Sequence, residues 1–258
     1  MGSIFKFAKH SARKILQKAG YKVVKNSEPG KQYGSNALNF IDGFLSGHLR
    51  NRGNLAILQC GANDGVTVDP VRAFIVRHSN EISAVLVEPL PDVHSRLQEN
   101  YRASENITTL NVAIGPDREI PLYRIKKKYD AMYSGIIASG ITSFDRDFVL
   151  RKARNIRGVD SVPVEERIEC ISVPCLTVSQ VIDAYETLGI EPFLQVDTEG
   201  YDDQVIYSID LGRHRPIAIN YEISLLSNYN LQALQNYLAG NGYRCLRWNQ
   251  SDEIAIRT

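Results

Sequence analysis

The chain predicts an α/β protein built on a doubly wound, mostly parallel seven-stranded sheet with an antiparallel edge strand. Two patterns carry this reading. From Leu55 onward, short apolar runs alternate with stretches of helical periodicity, the signature of repeated βαβ units. At the far end two strand-like runs, "YRCLRW" and "DEIAIRT", follow each other as an antiparallel pair closing one edge. With 258 residues, 43% hydrophobic and 23% charged, the chain has the composition of an ordinary globular domain.

Residues 1–25 stand apart. They carry Lys6, Lys9, Arg13, Lys14, Lys18, Lys22 and Lys25 and no acid. Apolar Ile4, Phe5, Ala8, Ala12, Ile15, Leu16 and Ala19 recur at helical spacing, so a basic amphipathic helix is expected, ending near Gly20. Its stripe either docks on the protein's own core or meets an anionic membrane surface or a partner. The turn-rich "SEPGKQYGSN" then links residues 1–36 to a main domain over 37–258.

In that domain "LAILQC" reads as a buried strand, "GANDG" as a turn and "DPVRAFIVRH" as a helix with Pro70 in its first turn. "SAVLVEP" is a second strand, "DVHSRLQENYR" a helix, "NITTLNVAIG" a third strand and "REIPLYRI" a further strand. The polar stretch 126–167 is too long for a passive connection and is expected to act as a lid. Thr142 and Ser143 would face the cofactor side, and Arg146, Arg151 or Arg154 would meet an acidic or sugar-phosphate acceptor. Strands "IECISVP", "PFLQVD" and "RPIAINYEI" alternate afterwards with helices "TVSQVIDAYETLG", "DDQVIYSI" and "NLQALQNYLAG".

Several function classes lose ground on totals alone. A net charge of +1 gives no electrostatic footprint for nucleic acid. No apolar run approaches the roughly 20 residues that span a bilayer. Lys and Arg interrupt the N-terminal apolar positions, unlike a secretory signal. A cytoplasmic protein is expected, able to lie peripherally on the inner membrane face through residues 1–25. Cys60, Cys170, Cys175 and Cys245 contain no C-x-x-C pair and read as buried free thiols. None of the five histidines stands at a strand end, and His214 reads as a surface residue.

In doubly wound sheets ligands bind beyond the carboxyl ends of the strands, so residues standing there are the site candidates. After the first strand, Gly61 and Gly65 make a tight turn that lets a ligand approach the backbone. Asn63 occupies the central position of a G-x-G-x-x-G pattern and no third glycine follows, which disfavours a pyrophosphate cofactor. Glu88 ends the second strand, where a carboxylate can clasp the two adjacent hydroxyls of a ribose. After the strand "FLQV" come four acids, Asp197, Glu199, Asp202 and Asp203, with Glu222 ending the next strand. Asp197, Glu199 and Glu222 converge as a carboxylate base or substrate-orienting set, with Mg²⁺ binding by the three as the lesser alternative. Asp202 and Asp203 read as the start of a helix.

"GANDG", "VEPLPDVHSRLQEN", "NVAIG", "SGITSF", "VPCLTVSQVID" and "LQVDTEGYDDQVI" occur in the order seen in FkbM-type methyltransferases, which this chain resembles over roughly residues 55–225. The resemblance implies a Rossmann-like class I fold, S-adenosylmethionine as cofactor and O-methylation of a small acceptor, a saccharide or secondary metabolite. It implies that Gly61, Ala62, Asn63 and Gly65, with Gln59 and Asp64, line the methionine end of the cofactor, and that Glu88 with Pro89 holds its ribose. Asn111, Val112 and Ala113 would approach the adenine, with Ser143 and Asp197 completing the pocket. The family usually carries Asp where this chain has Gln59 and Lys where it has Gln195. An NAD-linked oxidoreductase and a non-catalytic binding module are the competing readings. If residues 1–25 serve a membrane, the full chain co-sediments with anionic liposomes and a chain lacking them does not.

Overall fold

The computed structural model describes residues 37–116, 118–133, 138, 140–155, 162–189 and 191–258. The basic helix and linker expected over 1–36 lie outside the described residues.

Helix α1 (Ala37–Arg52) opens the description, a segment whose sequence had suggested no element. It buries Ile41, Phe44, Leu45 and Leu49, an i, i+3, i+4, i+8 stripe. Gly53 ends it in the left-handed region, φ +74°, with its N–H donating to Leu49 O at 2.8 Å. Strand β1 (Ala56–Cys60), helix α2 (Arg72–Arg77), β2 (Ser83–Val87), α3 (Pro91–Tyr101) and β3 (Ile107–Leu110) follow in the expected alternation. The run "NITTLNVAIG" is broken, however, giving β3 and a separate β4 (Ala113–Ile114).

Next come β5 (Ile120–Ile125), a 3₁₀ turn (Lys127–Met132), β6 (Thr142–Ser143), α4 (Arg146–Arg154) and α5 (Val164–Arg167). They lead to β7 (Ile168–Val173), β8 (Cys175–Leu176), α6 (Val178–Ala184) and a 3₁₀ turn (Glu186–Leu188). The chain finishes with β9 (Phe193–Val196), α7 (Asp202–Tyr207), β10 (Ala218–Glu222), α8 (Asn228–Gly240), β11 (Tyr243–Arg247) and β12 (Asp252–Arg257).

The main sheet has seven strands in the order β3-β2-β1-β9-β10-β12-β11. Only the pairings of β12 are antiparallel, so the closing hairpin forms one edge with β12 slotted between β10 and β11. Successive strand residues alternate between two cores. Ile57, Ala84, Leu86, Phe193 and Ala218 pack beneath α1, α2 and α3. Leu58, Val85, Val87, Leu194, Val196, Ile219 and Tyr221 pack beneath α6, α7 and α8. Sheet order reverses direction at β1, where the chain leaves toward β2 on one side and β9 returns on the other. That is the switch point where such a sheet opens a crevice.

A three-stranded antiparallel sheet, β6-β5-β7, stands above this end. It covers its own small core of Ile125, Tyr133, Ile141, Val149, Leu150 and Ile168. Buried Arg124 fastens it to α3 through a two-pronged pair with Asp92, 2.5 and 3.2 Å. Arg167, also buried, donates to Tyr133 OH at 2.8 Å and to Val162 O.

Two amendments concern single residues. Cys170 is exposed and Cys245 half-buried, while Cys60 and Cys175 are buried as expected; all four are free. His214 is 2% exposed rather than on the surface, wedged beside Arg213 and Asp183.

The tightest point of the fold is Gly61, φ +81°, where an added Cβ would lie 1.8 Å from Asp197 O. Gly61→Ala should therefore cost at least about 3 kcal/mol, left-handed strain plus a collision the backbone cannot relieve. Gly53→Ala has the same kind of φ and open space around the new methyl, so about 1 kcal/mol is expected. Urea unfolding of both variants checks this; equal losses would contradict it.

Candidate active site

The carboxyl ends of β1, β2 and β9 surround a cavity of about 310 Å³. Its floor is made by the turn after β1. Gly61 N–H and Ala62 N–H both donate to Val87 O, and Asp197 N–H donates to Cys60 O at 3.0 Å, so three strand ends are locked together. Asn63, φ +50°, holds the turn in a left-handed step that Asn tolerates better than most residues. Its N–H donates to Glu88 Oε2 at 3.0 Å, and Leu90 N–H donates to Oε1 at 2.9 Å. One lone pair on each Glu88 oxygen is thereby used and one left over, and the residue lines the cavity. Burial pushes the Glu88 carboxyl up to about 7, against the two amide hydrogen bonds and Arg124, which pull it down.

Most of the residues singled out in the sequence meet here. Gln59, Gly61, Ala62, Asn63, Glu88 and Pro89 line the cavity, as do Val112, Ala113, Ser143, Asp197 and Glu199. Four others do not. Asp64 turns away to accept from Val66 N–H, Thr67 N–H and Thr67 OH, a local cap of the loop. Gly65 packs on Leu97 and Tyr101. Asn111 donates its side-chain amide to Glu88 O and Pro89 O, 2.9 and 3.0 Å, and so positions the ribose-side loop from behind. Glu222 lies outside the lining; its carboxylate accepts from Ser224 OH.

The acid cluster divides differently from the expectation. Asp202 is fully buried and caps nothing of its own helix. It accepts from Thr198 N–H and Thr198 OH on one side, 3.3 and 3.0 Å, and from Glu222 N–H at 3.1 Å on the other, bracing the ends of β9 and β10. Burial and then Glu222 raise it to about 7, against those hydrogen bonds. Asp197 opens onto the cavity and is exposed to water there. Desolvation, followed by the charges of Asp202, Glu222 and Glu199, raises it well above the ordinary carboxylate range. Glu199, φ +53°, is raised to about 7 by burial and then by Glu222, while Lys152 of α4 opposes the rise. Among the described residues no group of three or more His, Cys, Asp or Glu is arranged to hold a metal ion, so the Mg²⁺ alternative finds no ligand set there.

Gly140, Thr142, Ser143 and Phe144 form the upper wall, and Phe144 packs edge-on against Tyr201 with ring centroids 4.8 Å apart. Of the three arginines expected there none lines the cavity; Arg154 pairs with Glu165 at 2.7 Å and Arg151 lies 3.8 Å from Asp145. Lys152, over the Phe148 ring and outside the lining, acts on Glu199 as a charge at a distance. Sequence reasoning also missed Thr67, Val68, Asp69 and Thr198 in the lining. Asp69 and Pro70 lie outside the helix expected to hold Pro70 in its first turn, since α2 begins at Arg72 with Val71 at its N-cap; Asp69 Oδ1 accepts from Val71 N–H and Arg72 N–H, 2.8 and 3.0 Å, in the approach to it. The second Asp69 oxygen, Oδ2, is buried and meets the Gln59 side chain. Gln195, the other departure from the family pattern, is fully employed. It accepts from Asn220 Nδ2 at 3.0 Å, and Trp248 Nε1 donates to Asn220 Oδ1 at 2.8 Å.

The described lining thus carries four carboxylates, Asp69, Glu88, Asp197 and Glu199, and no Lys, Arg or His. Such a wall favours cationic and neutral ligands and repels a pyrophosphate.

The family model described as "Methyltransferase FkbM domain" matches residues 59–245. No curated protein compared with the chain matches it. Solved structures with a similar chain path include precorrin-6y C5,15-methyltransferase from Geobacter metallireducens GS-15, at 11% identity over 92% of this chain and 95% of that one, TM-score 0.40. The METTL16 MTase domain aligns at 9% identity over 98% and 81%, TM-score 0.46. Magnesium protoporphyrin IX methyltransferase from Synechocystis PCC 6803, with bound SAM, aligns at 7% identity over 97% of both chains, TM-score 0.42. Likenesses this distant say nothing about the reaction.

The raised carboxyl of Glu199 has a consequence for stability. Below about pH 4.5 it is protonated in both folded and unfolded chains; between 4.5 and about 7 only the folded chain keeps the proton. Its contribution is therefore greatest at low pH and is lost as pH rises through about 7. Glu199→Gln should melt a few degrees above the wild type at pH 8 and level with it at pH 4.5. A variant less stable at pH 8 would contradict this.

Proposed function

The chain belongs to the FkbM methyltransferase family, and from that premise we propose that it transfers a methyl group from S-adenosylmethionine to a hydroxyl of a small uncharged acceptor, a saccharide or secondary metabolite. The observation that carries the reading is the lining itself: four carboxylates and no basic side chain among the described residues. That charge suits a sulfonium cation and a neutral alcohol, and it disfavours both NAD and a phosphorylated acceptor.

When bound, the cofactor supplies a methyl group already activated on sulfur. Displacement at that carbon creates little new charge, so the chain's main task is to hold the partners in line. Glu88 would hold the ribose hydroxyls with the lone pairs its backbone partners leave over. Gly61, Ala62 and Asn63 let the cofactor lie against the turn, and Val112 and Ala113 offer an apolar wall to its base. An alcohol also has to lose its proton. Glu199 is the residue we assign as general base, because a carboxyl raised to about 7 is half ionised near neutrality and faces the cavity. Asp197, also raised, would orient the hydroxyl by hydrogen bonding. The segment 126–167 would close over the acceptor as a lid, with Lys152 held near Glu199 and Phe144 sealing the wall.

Calorimetric titration separates the readings. S-adenosylhomocysteine should bind the wild type and fail to bind Glu88→Ala, while NAD should not bind. In a labelled-methyl assay on a panel of sugars and natural-product alcohols, Glu199→Gln should lose about 10²-fold or more in kcat and keep its affinity for S-adenosylhomocysteine. EDTA should leave turnover unchanged. Binding of NAD alone, or transfer to carbon or nitrogen, would overturn the assignment.

A further inference from the structure

We propose that the outward face of α8, with the end of α7 beside it, is a docking surface for a neutral saccharide chain. The surface lies outside the cavity. It narrows the acceptor to a saccharide of more than one ring, and for that narrowing it rests on the function proposed above.

The starting point is a helix without charge. A solvated helix face ordinarily carries charged residues. Yet α8, NYNLQALQNYLAG, has no Asp, Glu, Lys or Arg in a chain that is 23% charged. Its inner side is fixed: Leu234 and Leu238 are buried, and Gln235 donates to both oxygens of buried Glu253 in β12, 3.1 and 2.9 Å. The opposite stripe then faces outward, with Tyr229, Gln232 and Asn236 exposed at i, i+3 and i+7.

The aromatic rings on this face are gathered, not scattered. The exposed aromatic side chains among the described residues are Tyr229, 83% exposed, and Tyr207 of α7, 37% exposed. Tyr237 packs edge-on against Tyr207, with ring centroids 5.0 Å apart. Burial raises the Tyr207 hydroxyl above its usual range, and Asp203, Tyr237 and Tyr229 add to the rise, so the three tyrosines share one patch.

The chemistry of the face selects its occupant. An aromatic face is negative and accepts the weakly positive C–H side of a sugar ring. Amide side chains offer donors and an acceptor together, matching sugar hydroxyls. Gln232 Nε2 donates to Asn236 Oδ1 at 3.1 Å, which leaves the Gln232 oxygen to accept and the Asn236 amide to donate. An anionic ligand finds no base on α8. The bordering acids, Asp203 and Asp210, each accept from a local amide, Gln204 N–H and Gly212 N–H. An apolar protein surface would bury those amides without partners.

The face also begins beside the proposed reaction site. β10 ends at Glu222 and α8 starts at Asn228. Between them Leu225 packs on Gly200, the residue after Glu199; a Cβ on Gly200 would meet Leu225 Cβ at 3.5 Å. A sugar chain with one hydroxyl in the cavity would continue onto α8.

Affinity electrophoresis of the full chain tests this, in native gels containing a soluble neutral glucan, mannan or galactan. At least one should retard the wild type, with or without saturating S-adenosylhomocysteine. Tyr229→Ala should weaken that retention about tenfold or more, and Tyr229→Trp should restore it. Both variants should keep the wild-type melting temperature and affinity for S-adenosylhomocysteine. No retention in any of the three gels, or equal retention of Tyr229→Ala, would overturn the face. So would a dimer in sedimentation that Tyr229→Ala abolishes, since the occupant would then be a second copy of the chain. Retention by a wild type that binds no S-adenosylhomocysteine would count against the cofactor reading and not against the face; binding without retention would do the reverse.

Discussion

The contact between Gly61 and the Asp197 carbonyl oxygen is the constraint from which the rest of the site follows. With no side chain on Gly61, the ends of β1 and β9 close to within backbone contact, and the Asp197 amide is spent on Cys60 O. The chain must then leave both strands sharply, through the left-handed steps of Gly61 and Asn63 on one side and Glu199 and Gly200 on the other. Those departures open the crevice and set Gln59, Glu88, Asp197 and Glu199 around it. Non-glycine residues in that backbone region cost of order 1–3 kcal/mol each, and here they cluster at the cavity rim, where the position of a side chain outweighs local comfort.

Gathering carboxylates is the second cost. Glu88, Glu199 and Asp202 are each raised to about 7, with burial the largest cause in every case. The protein offsets part of this with directed donors: two amides on Glu88, and Thr198 with the Glu222 amide on Asp202. Glu199 has Lys152 acting on it from α4. Asp202, held on both sides, braces the strand ends; Glu88 is fixed at the cavity by its two amides; and Glu199 is supported by a charge at a distance.

Much of this was legible in the chain. The alternation of apolar runs and helices gave the strand sequence almost element by element, because buried parallel strands leave a continuous apolar signal. Gly61 and Glu88 were readable because few other residues do their tasks at a strand end. Helix α1 was missed since Gly43 and Gly47 dilute its periodicity, although its buried stripe is regular. The break between β3 and β4 depends on Asn111 bonding two carbonyls of another loop, which no local pattern reveals. Asp69 was missed because it stands past the turn, in a loop whose path no local pattern gives. Asp202 misled for another reason: its place at a helix start is real, but its partners are Thr198 and the amide that ends the neighbouring strand.

The carboxylate lining also bears on how a catalytic cycle ends. Methyl transfer turns a sulfonium into a neutral thioether, so the spent cofactor carries one positive charge fewer than the one that entered. If the cavity takes the cofactor as proposed, those of Asp69, Glu88, Asp197 and Glu199 that are ionised would hold the charged species more tightly than the neutral one. The same electrostatics would then draw the donor in and loosen the product once the reaction is over.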